Sequence, residues 1–220
     1  DMRAMTEALA SMMGADRVAT DAEALGARRY DQWAVKHLRD WRGEAVAMPG
    51  CIVRPGSVED VQKVVRLAAE KRVPLIPYGL GSGVCGGIEP TSDAILLDMS
   101  SMNRVRYIEE GDLLASSDAG LNGMEAEEAV AAHGLTIGHW PQSIAISSVG
   151  GWVSTRASGQ FSTAYGNIED IIHSIEAVLP NGELVTLGKA VRAAAGPDLR
   201  HLLMGAEGTM GVITGVTFSL

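Results

Sequence analysis

The sequence has few of the residues that define several large protein classes. Its two cysteines, Cys51 and Cys85, show no CxxC spacing, which argues against a disulfide framework or a zinc site. No run approaches the roughly 18 apolar residues of a membrane-spanning helix. With 18 Lys and Arg against 27 Asp and Glu, the formal net charge is −9, which disfavours nucleic acid as a partner. We therefore expect no metal site and no nucleic acid partner.

The beginning of the sequence also lacks the pattern of a secretion signal. It does not show the basic-then-apolar order of a signal peptide, and two unpaired cysteines suit a reducing compartment. We therefore expect a cytoplasmic location.

Glycine, in contrast, is abundant. The 26 glycines among 220 residues exceed the usual share of about 7%. They have no three-residue period, which excludes a collagen-like chain. Eleven of them lie in segments that are also rich in Ser and Thr, namely 79–87, 142–151, 155–159 and 205–211. Because glycine lets the backbone approach another group closely, clusters of this kind indicate contact with a ligand.

The first half of the chain alternates strands and helices. Residues 1–48 carry short apolar stripes at helical spacing, which predict a helical appendage on the surface. Beyond Pro49, we predict a strand at 51–53, a helix from a Ser57 capping box to Glu70, and a strand at 73–78. Two prolines indicate that this last strand is irregular or at an edge. A parallel pair with a crossover helix follows from this order.

The second half of the sequence predicts more strands and fewer helices. Strands are predicted at the positions 94–98, 105–108, 113–115, 174–179, 183–187 and 212–220. Helices are predicted at 121–133 and 197–204. The stretch 136–159 shows little periodicity and reads as a functional loop.

The segment Gly81 to Gly86 matches GxGxxG, and Asp98 lies near the distance at which a ribose-binding acid is sought. A nicotinamide site of this type needs a helix before the next strand. Only about eight residues intervene and Pro90 is among them, so no such helix fits. Two interpretations remain: a nest of backbone N–H groups for a pyrophosphate, and a tight surface turn.

Four glycine-rich segments together suit an extended ligand with a diphosphate and a flat ring system. Arg156 is the one cation in them, and it either pairs with a phosphate or lies free on the surface. Glu207 is interpreted as a turn carboxylate, and Cys85 as a small buried residue. The histidines show no metal-ligand spacing and are interpreted as structural.

The order of the motifs resembles a known family. They are Arg54-Pro55-Gly56-Ser57, Pro77-Tyr78-Gly79-x-Gly81-Ser82, Ser148-Val149-Gly150-Gly151, Tyr165-Gly166, Leu179-Pro180-Asn181-Gly182 and 205–214. This order is similar to the FAD-binding domain of the vanillyl-alcohol oxidase (PCMH-type) flavoproteins and covers residues 49–220. The segments 150–159 and 165–170 resemble the alkyl-dihydroxyacetonephosphate synthase branch, many of whose bacterial members are called FAD-linked oxidases.

The resemblance implies an α+β fold, with a PCMH-type FAD-binding domain built of two α/β subdomains. After the appendage at 1–48, the subdomains would span 49–110 and 111–220. The family continues into a C-terminal cap domain that binds substrate, and this chain does not contain it.

The resemblance also assigns cofactor contacts. Those around the pyrophosphate are Pro77, Tyr78, Gly79, Leu80, Gly81, Ser82 and Gly83. Those along the flavin and ribityl chain are Gln142, Ser143, Ile144, Ser147, Ser148, Gly150, Gly151, Thr155, Arg156, Ala157 and Ser158. Those that complete the site are Glu207, Gly208, Gly211 and Ile213. Because the glycine loop has no His, we expect FAD to be non-covalent.

The implied function is that of an FAD-linked oxidoreductase acting on an alcohol or 2-hydroxy acid, with substrate contacts from the cap. One alternative is a synthase-like flavoenzyme without net redox. A second is a split or truncated flavodomain that needs a partner cap chain. A homodimer is possible, and no catalytic residue is identified.

Overall fold

The computed structural model describes residues 2–188 and 194–220, which form two β-sheets with helices packed against them. The strands are β1 (Val18–Ala19), β2 (Cys51–Val53), β3 (Leu75–Tyr78), β4 (Ile95–Asp98), β5 (Val105–Glu109), β6 (Leu114–Asp118), β7 (Ile172–Val178), β8 (Leu184–Leu187) and β9 (Val212–Ser219). The helices are α1 (Met2–Met13), α2 (Ala22–Ala27), α3 (Ala34–Trp41), α4 (Val58–Lys71), α5 (Gly123–Ala131), α6 (Val149–Thr155), α7 (Ser162–Tyr165) and α8 (Ile168–Ile171). None of the helices described is long and apolar enough to cross a membrane.

The first sheet has the order β1-β2-β4-β3. β2 and β3 both run parallel to β4, and β1 pairs antiparallel with β2. The predicted parallel strands with a crossover helix are therefore present, but β4 lies between them, so they are not neighbours. β3 is an edge strand, as its prolines predict.

Helix α4 crosses between β2 and β3 as its sequence predicts. The Ser57 hydroxyl accepts the Asp60 N–H at 3.2 Å, which caps the first turn. Val61, Val64 and Ala68, spaced at one helical face, are buried. This face packs into the core of the first sheet.

The second sheet is antiparallel throughout, with the order β5-β6-β9-β7-β8. The predicted hairpin is confirmed as β7 and β8, and the last strand, β9, lies at the centre. Because β5 pairs with β6, the chain changes sheets between Asp98 and Val105. The subdomain division at residues 110 and 111 stays a prediction, but β5 belongs to the sheet of the second half.

The N-terminal segment is largely helical, as predicted, but it is more than a surface appendage. Met5 and Leu9 of α1 lie within the core of the first sheet, with exposed fractions of 5% and 0%. β1 adds a strand to that sheet. Its two residues are too few to predict a strand from the sequence. The first 48 residues are therefore partly integrated into the first sheet and its core.

Two predicted elements differ in the structure. The stretch 136–159 contains α6 and a 3-10 turn at Ile144–Ile146, where the sequence predicts an aperiodic loop. α6 carries two glycines, which have weak helix propensity, and is held instead by burial of Trp152 and Val153. The helix predicted at 197–204 is a four-residue 3-10 helix, Leu199–Leu202.

Each sheet and the helices packed against it form one unit, and the two units contact each other directly. Val178 and Val212 of the second sheet belong to the core that covers the first sheet. The Gly182 carbonyl, in the β7–β8 turn, accepts hydrogen bonds from Gln62 Nε2 at 2.8 Å and a guanidinium nitrogen of Arg66 at 2.9 Å. These contacts fix one sheet relative to the other.

Gly120 is a second point of close approach between the units. A Cβ there would overlap the Met99 carbonyl oxygen and lie 2.7 Å from the Met102 oxygen, so a backbone shift is required. We expect Gly120→Ala to lower the free energy of unfolding by about 1–3 kcal/mol in urea denaturation. Gly111→Ala is the matched control, since its Cβ would lie 3.4 Å from the flexible Glu109 carboxylate. Equal stabilities of the two variants would contradict this interpretation.

Candidate functional site

The glycine loop 79–87 leaves the carboxyl end of β3, next to the end of β4. Its first residues are tightly packed: a Cβ on Gly79 would overlap the Ser148 hydroxyl, and one on Gly81 would overlap the Tyr78 hydroxyl. Gly81 also has a φ of +70°, which favours glycine. No helix lies between Gly86 and β4, as predicted. The backbone of this loop therefore packs closely against neighbouring side chains. It does not lead into the helix that a nicotinamide site of this type needs.

The loop contacts two of the other predicted segments. Gly79 lies against Ser148, and a Cβ on Gly208 would lie 2.9 Å from the Pro77 ring. A Cβ on Gly87 would lie 3.7 Å from the Glu207 carboxylate oxygens. Segments that are 69 to 131 residues apart in sequence thus meet at one place, as an extended ligand requires.

The polar groups of 142–151 are partly occupied by the protein itself. The Gly150 N–H donates to Ala119 O at 2.8 Å, and the Gly151 N–H donates to the Ser148 hydroxyl at 3.2 Å. The Ser147 hydroxyl accepts the Trp152 indole N–H at 2.8 Å. Ser147, Ser148 and Gly150 are buried, whereas Gln142 is exposed. The Gln142 side chain is therefore available to a ligand, while the glycines supply close packing.

Segment 155–158 lies next to 205–208. The Glu207 N–H donates to Ser154 O at 3.1 Å, and a Cβ on Gly205 would lie 2.7 Å from Arg156 Cδ. The guanidinium of Arg156 pairs with Glu169 at 3.2 Å. The cation that the sequence offers as a phosphate partner is therefore already paired with a carboxylate. Thr155 and Ser158 are exposed beside it. The fourth predicted segment is therefore also adjacent to the site.

Backbone strain concentrates in these segments. Five residues other than glycine have positive φ in the described part of the chain. Three of them are Trp140 (41°), Arg156 (51°) and Glu207 (49°), all within or beside the predicted segments. Left-handed conformations of this kind persist where the surrounding structure imposes them, commonly at ligand sites.

A cavity of about 230 Å³ lies where the two units meet. Pro77, Gly208 and Gly211 line it together with apolar side chains of α4 and β7. Ile144 and Ile213, in contrast, are buried in the core of the second sheet, so only their backbone groups are available to a ligand. The predicted cofactor contacts therefore include residues that line an accessible cavity and residues that can offer a ligand only their backbone groups.

The two cysteines have opposite environments. Cys51 is buried, and burial raises the pKa of its thiol to about 11 although Thr6 opposes this shift. Cys85 is exposed, which corrects the interpretation of it as a buried residue. The reason is local: Val84 and Cys85 lie on the outer side of the loop, and Val84 is 66% exposed. The loop thus presents an accessible thiol. In the described ranges, no group of His, Cys, Asp and Glu is arranged to hold a metal.

His139 is buried beside the site, with 1% of its surface exposed. The centroids of its ring and the Trp152 ring are 4.7 Å apart in an edge-type arrangement, and neither ring nitrogen has a hydrogen-bond partner among the described residues. Burial lowers the pKa of His139 to about 4, although the charge of Glu169 acts in the opposite direction. His139 is therefore a neutral core residue at pH 7.

The buried His139 predicts a loss of stability in acid. Its pKa is lower in the folded than in the unfolded chain, where it is about 6.5, so the unfolded state binds more protons between these values. This contribution is fully present above pH 6.5 and is lost as the pH falls toward 4, by up to about 3 kcal/mol. His139→Leu should flatten the fall in unfolding free energy between pH 7 and 4.5, measured by urea denaturation.

The control for this measurement is His201→Leu, because the side chain of His201 is about half exposed. An unchanged pH slope in His139→Leu would show that His139 does not carry the effect.

Two sheets whose glycine-rich segments meet at one place form a domain suited to an extended dinucleotide cofactor. Comparison with known proteins identifies the cofactor class: the FAD binding domain family matches residues 49–188, more than half of the chain. The chain belongs to the FAD binding domain family, and the resemblance predicted from the motifs is confirmed.

Individual relatives agree with this. The chain is 35% identical over 219 residues to the FAD-linked oxidoreductase YgcU of Escherichia coli, covering 99% of this chain and 45% of that protein. It is 38% identical over 175 residues to an alkyldihydroxyacetonephosphate synthase of Dictyostelium discoideum, covering 78% and 28%. A solved alkyldihydroxyacetonephosphate synthase superposes with a TM-score of 0.90 at 33% identity, covering 99% of this chain and 40% of that one. The chain thus spans less than half the length of these relatives.

The structure also identifies contacts that sequence reasoning missed. Asp31, in the N-terminal segment, is buried against the glycine loop, 55 residues away in sequence. Arg28 packs over the ring of Tyr78, 5.9 Å from its centroid. Neither residue lies in a glycine-rich segment, so no local pattern distinguishes them from other charged residues of the N-terminal segment.

Proposed function

We propose that this chain is the FAD domain of a cytoplasmic oxidoreductase that oxidises an alcohol or 2-hydroxy acid, with FAD held non-covalently. The observation that carries the proposal is the meeting of the glycine loop with Ser148 and Glu207. It is supported by relatives named as an FAD-linked oxidoreductase, a glycolate oxidase subunit and a D-lactate dehydrogenase. The substrate would be bound mainly by a cap domain outside this chain.

The residues present fit the cofactor in shape and chemistry. Around Gly79 and Gly81 a side chain has no room, which leaves backbone N–H groups to face a pyrophosphate. A local nest is needed because the chain is acidic overall and the Arg156 guanidinium is already paired. The exposed Gln142, Thr155 and Ser158 would hydrogen-bond polar edges, and the apolar cavity beside Pro77 would exclude water. Bound FAD would supply a hydride acceptor.

The alternative is a synthase-like flavoenzyme without net redox. It is favoured by the superposition with a solved alkyldihydroxyacetonephosphate synthase and by the identity to the Dictyostelium enzyme. Anaerobic mixing of the full-length protein with 2-hydroxy acids and alcohols distinguishes the two. Bleaching of the flavin absorbance supports the oxidoreductase. Turnover of an acyl-dihydroxyacetone phosphate with a fatty alcohol, without bleaching, supports the synthase.

A third possibility is a split flavodomain that needs a partner cap chain. The intact mass of the native protein, compared with its coding sequence, tests it. Light scattering after size exclusion would test the homodimer in the same sample, and titration with nucleic acid would test the expectation that none binds.

The glycine loop gives the first prediction for cofactor binding. Gly81→Ala puts a Cβ into the Tyr78 hydroxyl at a φ of +70°, so the loop must move. We expect FAD affinity, measured by quenching of flavin fluorescence, to fall at least about tenfold, equivalent to about 1.4 kcal/mol. Gly134→Ala is the control: its φ is +73°, but its Cβ meets nothing within 4 Å. It carries the same backbone strain of about 1–2 kcal/mol without touching the site.

This pair of variants separates loop shape from strain. If Gly134→Ala weakened FAD binding as much as Gly81→Ala, global destabilisation rather than the loop would be responsible.

The exposed Cys85 gives a second prediction. It is the thiol nearest to the expected cofactor, so it is the residue to test for a covalent bond. We expect acid-denatured protein to release all its FAD and to show the mass of the unmodified chain. Cys85→Ser should retain the flavin of the native protein, with unaltered absorbance. A flavin-sized mass increase that disappears in Cys85→Ser would contradict non-covalent binding.

A further inference from the structure

A buried carboxylate of the N-terminal segment lies directly against the glycine loop. Asp31 is 2% exposed. Its Oδ2 accepts the N–H groups of Gly86 and Gly87, both at 3.0 Å, and its Oδ1 accepts the N–H of Trp33 at 3.0 Å. Both carboxylate oxygens are therefore used, and two of the three bonds hold the loop.

Contacts made by the residues that follow Asp31 also hold the loop. The Gln32 N–H donates to Gly83 O at 2.7 Å. Gly86 has a φ of +79°, and a Cβ there would lie 2.6 Å from the Trp33 ring. Lys36, 9% exposed as a whole residue, pairs with Glu89 at 2.5 Å just beyond the loop. The segment 31–36 thus holds the chain from residue 83 to residue 89.

The opposite side of the loop faces the predicted cofactor residues, since Gly79 lies against Ser148 and Gly87 faces Glu207. A glycine-rich loop has many accessible conformations, and ordering it during binding would weaken affinity. A loop already held by protein contacts avoids that cost. The N–H groups of Gly86 and Gly87 are directed to Asp31, so this contact sets the shape of the loop.

We propose that Asp31 is a positioning residue for the glycine loop, and that the N-terminal segment therefore contributes to the FAD site. This inference rests on the proposed FAD binding. It assigns a role to residues outside the range 49–188 that the family covers. Asp31 acts through the loop and does not itself touch the cofactor.

The test compares two substitutions of Asp31. Asp31→Ala removes the acceptor for both glycine N–H groups, and FAD affinity falls roughly ten- to hundredfold, as expected for loss of hydrogen bonds to a charged group. Asp31→Asn keeps one oxygen that can accept both glycine N–H groups, so it restores most of the affinity. Asp21→Ala is the control, because Asp21 is exposed and caps only α2, accepting the Ala24 N–H at 2.8 Å.

Three measurements are made on each variant: FAD titration by fluorescence quenching, the melting temperature without FAD, and hydrogen exchange of peptides spanning 79–89 without FAD. The proposal expects weaker FAD binding and faster exchange in Asp31→Ala, partial rescue in Asp31→Asn, and unchanged affinity in Asp21→Ala. A merely structural role predicts lower melting temperatures with affinity within twofold of the native protein in all three, which would overturn the proposal.

The two proposals fail in different ways. If the native protein binds no FAD, the proposed function fails, whereas faster exchange of the loop in Asp31→Ala would still support its positioning by Asp31. If Asp31→Ala does not fold, Asp31→Asn decides: faster exchange of the loop with an affinity reduced about two- to fivefold supports the role. An affinity within twofold of the native protein, or native-like exchange with a lost affinity, contradicts it.

Discussion

The buried Asp98 carboxylate is the contact on which the arrangement of the site depends. It is fully inaccessible at the end of β4 and accepts Arg28 Nε at 2.6 Å, while Arg54 Nε lies 3.4 Å away. A buried carboxylate without partners costs several kcal/mol, so these guanidinium groups are held in place by its charge. Asp98 also stands opposite Tyr78 in the sheet. One residue thus joins the N-terminal segment, the end of β2 and the point where the glycine loop begins.

Much of the fold is readable from sequence because burial and hydrogen bonding impose simple periods on it. The apolar face of α4, its Ser57 cap and the β7–β8 hairpin all follow from residues within one segment. α6 does not, because Gly150 and Gly151 oppose a helix and only burial of Trp152 favours it. The position of β4 between β2 and β3 is equally invisible, since strand order is set by long-range packing.

The sequence indicates the segments of the candidate site to a similar extent. Composition alone indicates four segments suited to a dinucleotide, and the structure brings them together around Gly79 and Gly208. What sequence could not indicate are pairings made across the fold. Asp31 and the loop, and the exposure of Cys85, depend on which side of the loop the N-terminal segment covers. Arg156 and Glu169 pair because α6 and α8 lie side by side.

The double hydrogen bond to the Gly182 carbonyl has a mechanical consequence. Gln62 and Arg66 on α4 hold the β7–β8 turn of the other unit, and Val178 and Val212 lie in a core that both units share. Hinge opening between the sheets would break these contacts together. These contacts therefore oppose any change in the width of the cavity where the two units meet.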